Sequence, residues 1–180
     1  QRKSTYGYNS DSSTVTYQFF APQVHDFAWC ADPEFVLRET VVDSTTLTFL
    51  ILPYQLKEWE SQIDIVEKAF KFMTERIGPY PYPNLTLVDG YINAGGIEYP
   101  NLVIISDMIG DPVELSATII HEIAHQWFYG ILANNQTRYG WMDEGFATFF
   151  ERETMSHVFG AKRSYVKSPS GFWGRWFGYW

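Results

Sequence analysis

Apolar residues recur along this chain with two different periods. Three runs, TVTYQFF from Thr14 to Phe20, FVLRETVV from Phe35 to Val42 and LTFLIL from Leu47 to Leu52, are rich in β-branched and aromatic residues. Pro, Asp and Ser bound them, and the pattern predicts strands. From Ser61 the period lengthens: Ile63, Val66, Phe70, Met73 and Ile77 fall three or four apart, the stripe of an amphipathic helix. Ser61 followed by Asp64 has the form of a capping box, and Gly78-Pro79 ends the helix. Strands are expected at Leu85 to Tyr91 and Leu102 to Ser106. Asp111-Pro112-Val113-Glu114 then supplies an N-cap, a proline at the first helical position and an early acid. Leu115, Ile119, Ile120, Ile123 and Trp127 pack that helix, and Gly130 ends it. A last helix is predicted over Glu144 to Phe159, with Phe146, Phe149 and Phe150 turned inward. Residues 167 to 180 crowd glycine and proline among aromatics and receive no element.

The apolar helix from Asp111 carries the sequence HEIAH at positions 121 to 125. Histidines four apart lie one turn above each other on one helix face, so His121 and His125 can close on a single metal ion. Glu122 stands beside that ion, where a carboxylate can take a proton from a metal-bound water. Two histidines leave a catalytic zinc one protein ligand short. Glu144, separated from His125 by eighteen residues and lying in WMDEGFATFFERE, is the best candidate for the third. Glu151, two turns further along the same helix face, is placed to accept the free ring N–H of a ligand histidine and fix its orientation. A helix with this much polar cargo needs something to satisfy it, and zinc would.

Between the two middle strands lies NAGGIEYPN. Gly95 and Gly96 lack side chains, so a substrate backbone can approach closely and pair with the chain edge. HEIAH, the spacing to Glu144 in WMDEGFA, and GGIEYP upstream together resemble the zinc aminopeptidases of the aminopeptidase N and leukotriene hydrolase family, over about Asp26 to Glu153. These are gluzincins with a thermolysin-like catalytic domain. The resemblance implies zinc ligands at His121, His125 and Glu144, a general base at Glu122, and Glu98 as anchor for the free α-ammonium of a peptide. An acylated N-terminus would leave that carboxylate unpaired. Ile97 and Tyr99 replace the Met and Asn of the commonest family version and touch the first specificity pocket. The family also carries an oxyanion-binding tyrosine well beyond the glutamate ligand; Tyr165 and Tyr179 are available, in contexts that do not match.

With 46% apolar residues in 180, the chain can bury a core. Its 13 basic and 21 acidic side chains give a formal charge of −8, which argues against nucleic acid as a partner. Cys30 is the only cysteine, read as a small buried hydrophobe. His25 and His157 receive no functional role, the second sitting at a cation-friendly helix end. No apolar run approaches the roughly 20 residues that span a bilayer. The start at Gln1, without methionine or a signal pattern, is read as a processed protein or an excised fragment.

The resulting expectation is an α+β, thermolysin-like zinc peptidase domain over residues 56 to 180, incomplete at its C-terminus. Residues 1 to 55 are expected to be the last strands of an N-terminal β-domain. The expected activity is removal of N-terminal residues from peptides, with one Zn2+ as cofactor. A thermolysin-type endopeptidase would share the zinc residues without using Glu98. A binding module is the rival from another class: aromatics reach 18% with seven tryptophans, and exposed Trp173, Trp176 and Trp180 would favour it.

Overall fold

The computed structural model describes residues 18–160. Much of the first expected strand, Tyr165, Tyr179 and the three C-terminal tryptophans lie outside them. The fold is a mixed α+β arrangement of one five-stranded sheet and four α-helices. β1 (Val36–Val42) and β2 (Thr45–Ile51) form an antiparallel hairpin. Its two-residue turn puts Asp43 at φ 53°, a left-handed conformation that aspartate tolerates better than most residues. A 3-10 turn (Pro53–Gln55), α1 (Leu56–Glu60) and α2 (Ile63–Arg76) then cross over to β3 (Asn84–Gly90), which pairs parallel to β2. β5 (Leu102–Ser106) pairs parallel to β3, and β4 (Gly96–Tyr99) returns antiparallel along the outer side of β5. The strand order is β1-β2-β3-β5-β4, so β4 is an edge. The pairing of β2 with β3 joins strands on either side of residue 55 in one continuous sheet.

Burial follows the sequence periods. Along β2, Leu47, Phe49 and Ile51 are fully buried while their neighbours are not, the period-two pattern of a strand with one covered face. Val66, Phe70 and Met73 of α2 and Ile119, Ile120 and Ile123 of α3 (Pro112–His125) join them in a single core. α4 (Phe146–Phe159) completes it with Ala147 and Met155. Three expectations change. Ser61 does not cap α2: the N-cap residue is Gln62, and the Ser61 hydroxyl donates to Glu58 O instead. Phe149 and Phe146 are 54% and 39% exposed, and Phe150 is the partly buried member of the three. Cys30 is half-buried rather than buried.

α3 runs as expected from its Asp111 cap, whose carboxylate accepts the N–H groups of Val113 and Glu114. It does not continue to Gly130 as an α-helix. After His125 the backbone loosens into a π-helical segment (Gln126–Ile131), and a second π-helical turn (Trp141–Gly145) leads into α4. Such wide turns occur often at functional sites, because the extra residue re-aims side chains. Ahead of β1, the irregular segment from residue 18 is pinned to this region: His25 Nε2 lies 3.1 Å from Tyr129 O, and Tyr129 donates its hydroxyl to Asp26 (3.0 Å). His157 stacks on Phe72.

Asp89 is the one fully buried acid of the sheet, accepting the Leu52 N–H at 3.1 Å. Burial pushes its carboxyl from 3.8 up to about 6, and the Leu52 hydrogen bond offsets only part of that. A raised carboxyl pKa means that the fold prefers the neutral acid: this contribution is fully present below 3.8 and is lost as pH rises through about 6. Asp89→Asn should therefore melt higher than the wild type at pH 8, by the equivalent of about 1–3 kcal/mol. The gap should close in acid. A melting series across pH checks this, and an Asn variant less stable at every pH would contradict it.

Candidate functional site

α3 and α4 lie against each other and bring the sequence-predicted side chains to one place. His121 and His125 are 2% and 1% exposed. Their Nε2 atoms are 3.1 Å apart, and Glu144 Oε2 lies 3.1 Å from the first and 3.7 Å from the second. The opposite ring nitrogens face carboxylates. His121 Nδ1 stands 3.1 Å from Glu151 Oε2, and His125 Nδ1 stands 2.6 Å from Asp143 Oδ1. A carboxylate accepts, so in each ring, when neutral, Nδ1 carries the hydrogen and Nε2 presents a lone pair. Three acceptors, two imidazole nitrogens and a carboxylate oxygen, thus converge on one point.

Like acceptors at such distances repel unless a cation or a proton lies among them. In the metal-free chain a proton does part of that work. Burial opposes a charged imidazole, yet the hydrogen bonds to Glu144 and Glu151 hold His121 up at about 10. Burial would likewise raise Glu144, but its bond to His121 and the neighbouring His125 bring it below the usual carboxylate range. The donor set also fits a zinc ion. Tetrahedral ligands about 2.0–2.1 Å from zinc stand about 3.3 Å from one another. The separations here, 3.1, 3.1 and 3.7 Å, bracket that value. Two imidazoles and a carboxylate are a donor set that zinc accepts with a position left open.

Glu122, 1% exposed, has no hydrogen-bond partner for either carboxylate oxygen among the described residues. Burial pushes its carboxyl up to about 7, against the lowering influence of His121 and His125. Such a group is poised to exchange a proton near neutrality. Gly96 packs directly on it: a Cβ at that position would fall on the Glu122 carboxyl. Gly95 precedes β4, its carbonyl accepting the Ser106 N–H at 2.9 Å. Glu98, two residues beyond Gly96 on β4, therefore projects to the same side of the strand as Glu122. It is partly buried, and its carboxyl is raised chiefly by that burial.

Three residues of the site were not singled out from the sequence. Gln126, 1% exposed, locks the end of α3 to the turn between β4 and β5. Its amide nitrogen donates to Tyr99 O (3.0 Å) and its oxygen accepts the Asn101 N–H (2.8 Å). This fixes the strand bearing Glu98 against the helix bearing the histidines. Asp143 holds His125 as described, and a second group of ligand atoms, from Glu98, His125 and Asp143, lies within 4.8 Å. Gln136 closes over that group, its amide nitrogen 3.0 Å from Glu98 Oε1 and 3.3 Å from Asp143 Oδ2 when turned to face the two acceptors. The only signals were a glutamine inside an apolar helix and an acid beside Glu144.

Residues 61–173 match the Peptidase family M1 domain. The chain belongs to peptidase family M1. It is similar to aminopeptidase B of Mus musculus, 26% identical over 115 residues that cover 62% of this chain and 18% of that protein. Human aminopeptidase B is 26% identical over 110 residues, covering 59% and 17% respectively. Leukotriene A-4 hydrolase of Xenopus laevis is 27% identical over 110 residues, covering 59% and 18%. The chain thus spans less than a fifth of the length of these M1 relatives. Among the described residues, no helix is long and apolar enough to cross a membrane.

The contact of Gly96 with Glu122 gives a direct test of the site's packing. Gly96→Ala should leave the melting temperature within a few degrees, because the side chain it displaces can rotate. Amide hydrogen exchange across β4 and the adjoining turn of α3 should nevertheless quicken by about tenfold or more, as the carboxylate and the strand are pushed apart. Unchanged exchange in this variant would show that Glu122 is not held by β4.

Proposed function

We propose that this chain is a zinc-dependent aminopeptidase core of thermolysin-like architecture, acting on the N-terminal bond of peptides. The observation that carries the reading is the juxtaposition of a converging three-donor set with a carboxylate pair, Glu122 and Glu98, on one side of β4. His121, His125 and Glu144 would hold the ion, with Glu151 and Asp143 fixing the two rings. When bound, zinc supplies Lewis acidity towards the scissile carbonyl and towards water.

The chain's own residues do the rest. Glu122 takes the proton from the attacking water and returns one to the leaving amine; neither of its oxygens has another hydrogen-bond partner among the described residues. Glu98 receives the substrate ammonium and so sets the distance from the chain start to the reacting carbonyl. The edge of β4 offers backbone groups to an extended peptide, and Gly95 and Gly96 let that peptide approach. Ile97 and Tyr99 flank Glu98 and would shape the pocket for the first side chain. The names of the aminopeptidase relatives support the exopeptidase over the endopeptidase reading.

The test uses one fluorogenic peptide, with its N-terminus free or acetylated, and the full chain loaded with zinc. Only the free peptide should be cleaved. Glu122→Gln should keep a full equivalent of zinc while losing about a hundredfold or more in turnover. Equal cleavage of both peptides would make the chain an endopeptidase and remove Glu98 from the site. Zinc bound without any cleavage would favour a binding module.

A further inference from the structure

We propose that Asp143 is a second carboxylate of the amine anchor, taking one N–H of the substrate ammonium beside Glu98 while its other oxygen holds His125. The proposal rests on the aminopeptidase reading above and adds to it a residue that ties amine recognition to a metal-binding ring.

The geometry begins at His125. Its Nδ1–H donates to Asp143 Oδ1 at 2.6 Å, and the two side chains are 1% and 4% exposed, so Asp143 is held in one orientation. That leaves Oδ2 for another partner. With its amide turned so that the nitrogen faces both acceptors, Gln136 reaches the two carboxylates, 3.0 Å from Glu98 Oε1 and 3.3 Å from Asp143 Oδ2. An amide nitrogen has two N–H groups, and here both are spent on carboxylates. An ammonium offers the same two directions, a third hydrogen and a full positive charge. Two acceptors sharing one tetrahedral ammonium, each about 2.8 Å from the nitrogen, stand about 4.6 Å apart. One carboxylate oxygen of Glu98 and one of Asp143 lie within 4.8 Å of each other, a bound that admits this separation.

A second observation points to a ligand in the same cleft. Glu122 is almost fully buried, on the side of β4 that Glu98 occupies, and neither of its oxygens has a hydrogen-bond partner among the described residues. Gln136 is the replaceable part. It is exposed, on the loop between the two π-helical turns, whereas Glu98 is held on a strand and Asp143 by His125. A substrate amine would displace its neutral amide and gain a charge-assisted bond to each carboxylate.

Calorimetric titration of the zinc-loaded full chain with L-leucinol, which has a free amine and no scissile bond, and with N-acetyl-L-leucinol tests this. The wild type should bind the free amine and not the acetylated compound. Asp143→Asn keeps an oxygen for His125 but turns an amide N–H towards the ammonium; it should retain zinc and bind leucinol about tenfold or more weakly. Gln136→Ala removes the competing amide and should bind leucinol a few-fold more tightly. If the wild type binds both compounds alike, the aminopeptidase reading fails and this proposal with it. If the wild type discriminates but Asp143→Asn keeps wild-type affinity, the anchor is Glu98 without Asp143, and only the proposal is overturned. Should Asp143→Asn lose its metal or fold, the Gln136→Ala titration decides: tighter binding supports the shared anchor, and unchanged binding overturns it.

Discussion

The structure turns on three acceptor atoms held face to face, two of them on buried rings. His121 and His125 stand one helical turn apart on α3, Glu144 comes from the turn before α4, and a carboxylate behind each ring fixes which nitrogen points inward. Nothing about hydrophobic packing favours this. Buried like charges and aligned lone pairs cost free energy unless a cation compensates them. The surrounding core supplies the rigidity that keeps them together, with Ile119, Ile120 and Ile123 anchoring one side of α3 and Ala147 and Met155 seating α4. Stability and site are therefore coupled: the helices pack as apolar surfaces, and in doing so bring together groups that a metal ion would reconcile.

The placement of the glutamates follows from the sheet. Among the described residues β4 is an edge strand, and its alternation puts Gly96 and Glu98 on the side of α3. Gln126 ties that strand to the end of the helix by two amide bonds. Glu122 and Glu98 are thus set at a fixed spacing by a strand, a helix and one glutamine. In the proposed reading, that spacing is what selects the first peptide bond.

Much of this was legible in the sequence because it obeys short-range rules. The i, i+4 relation of His121 and His125, the apolar stripe of α2, the Asp111 cap and the strands around NAGGIEYPN all depend on periods of two or 3.6. The relation of Glu144 and Glu151 to those histidines came from motif spacing and helix phase. What escaped depends on contacts between elements. The pairing of β2 with β3 needs a crossover that no local pattern encodes. The bonds of Gln126, Asp143 and Gln136 are long-range and polar, and periodicity is blind to them. Ser61 does not cap α2 because its hydroxyl is spent on Glu58 O at 2.6 Å, and Gln62, at the N-cap position, makes no side-chain cap bond. Phe149 reads as core by residue type, yet it points outward from α4.

The most direct test of the account is the coordination sphere of the bound metal. X-ray absorption at the zinc edge of the zinc-loaded chain should show only nitrogen and oxygen scatterers at about 2.0–2.1 Å, with the multiple-scattering signature of two imidazole rings. His125→Ala should bind zinc weakly and show at most one ring. A sulfur scatterer near about 2.3 Å, which would implicate Cys30, or an unchanged two-ring spectrum in His125→Ala would contradict the proposed centre.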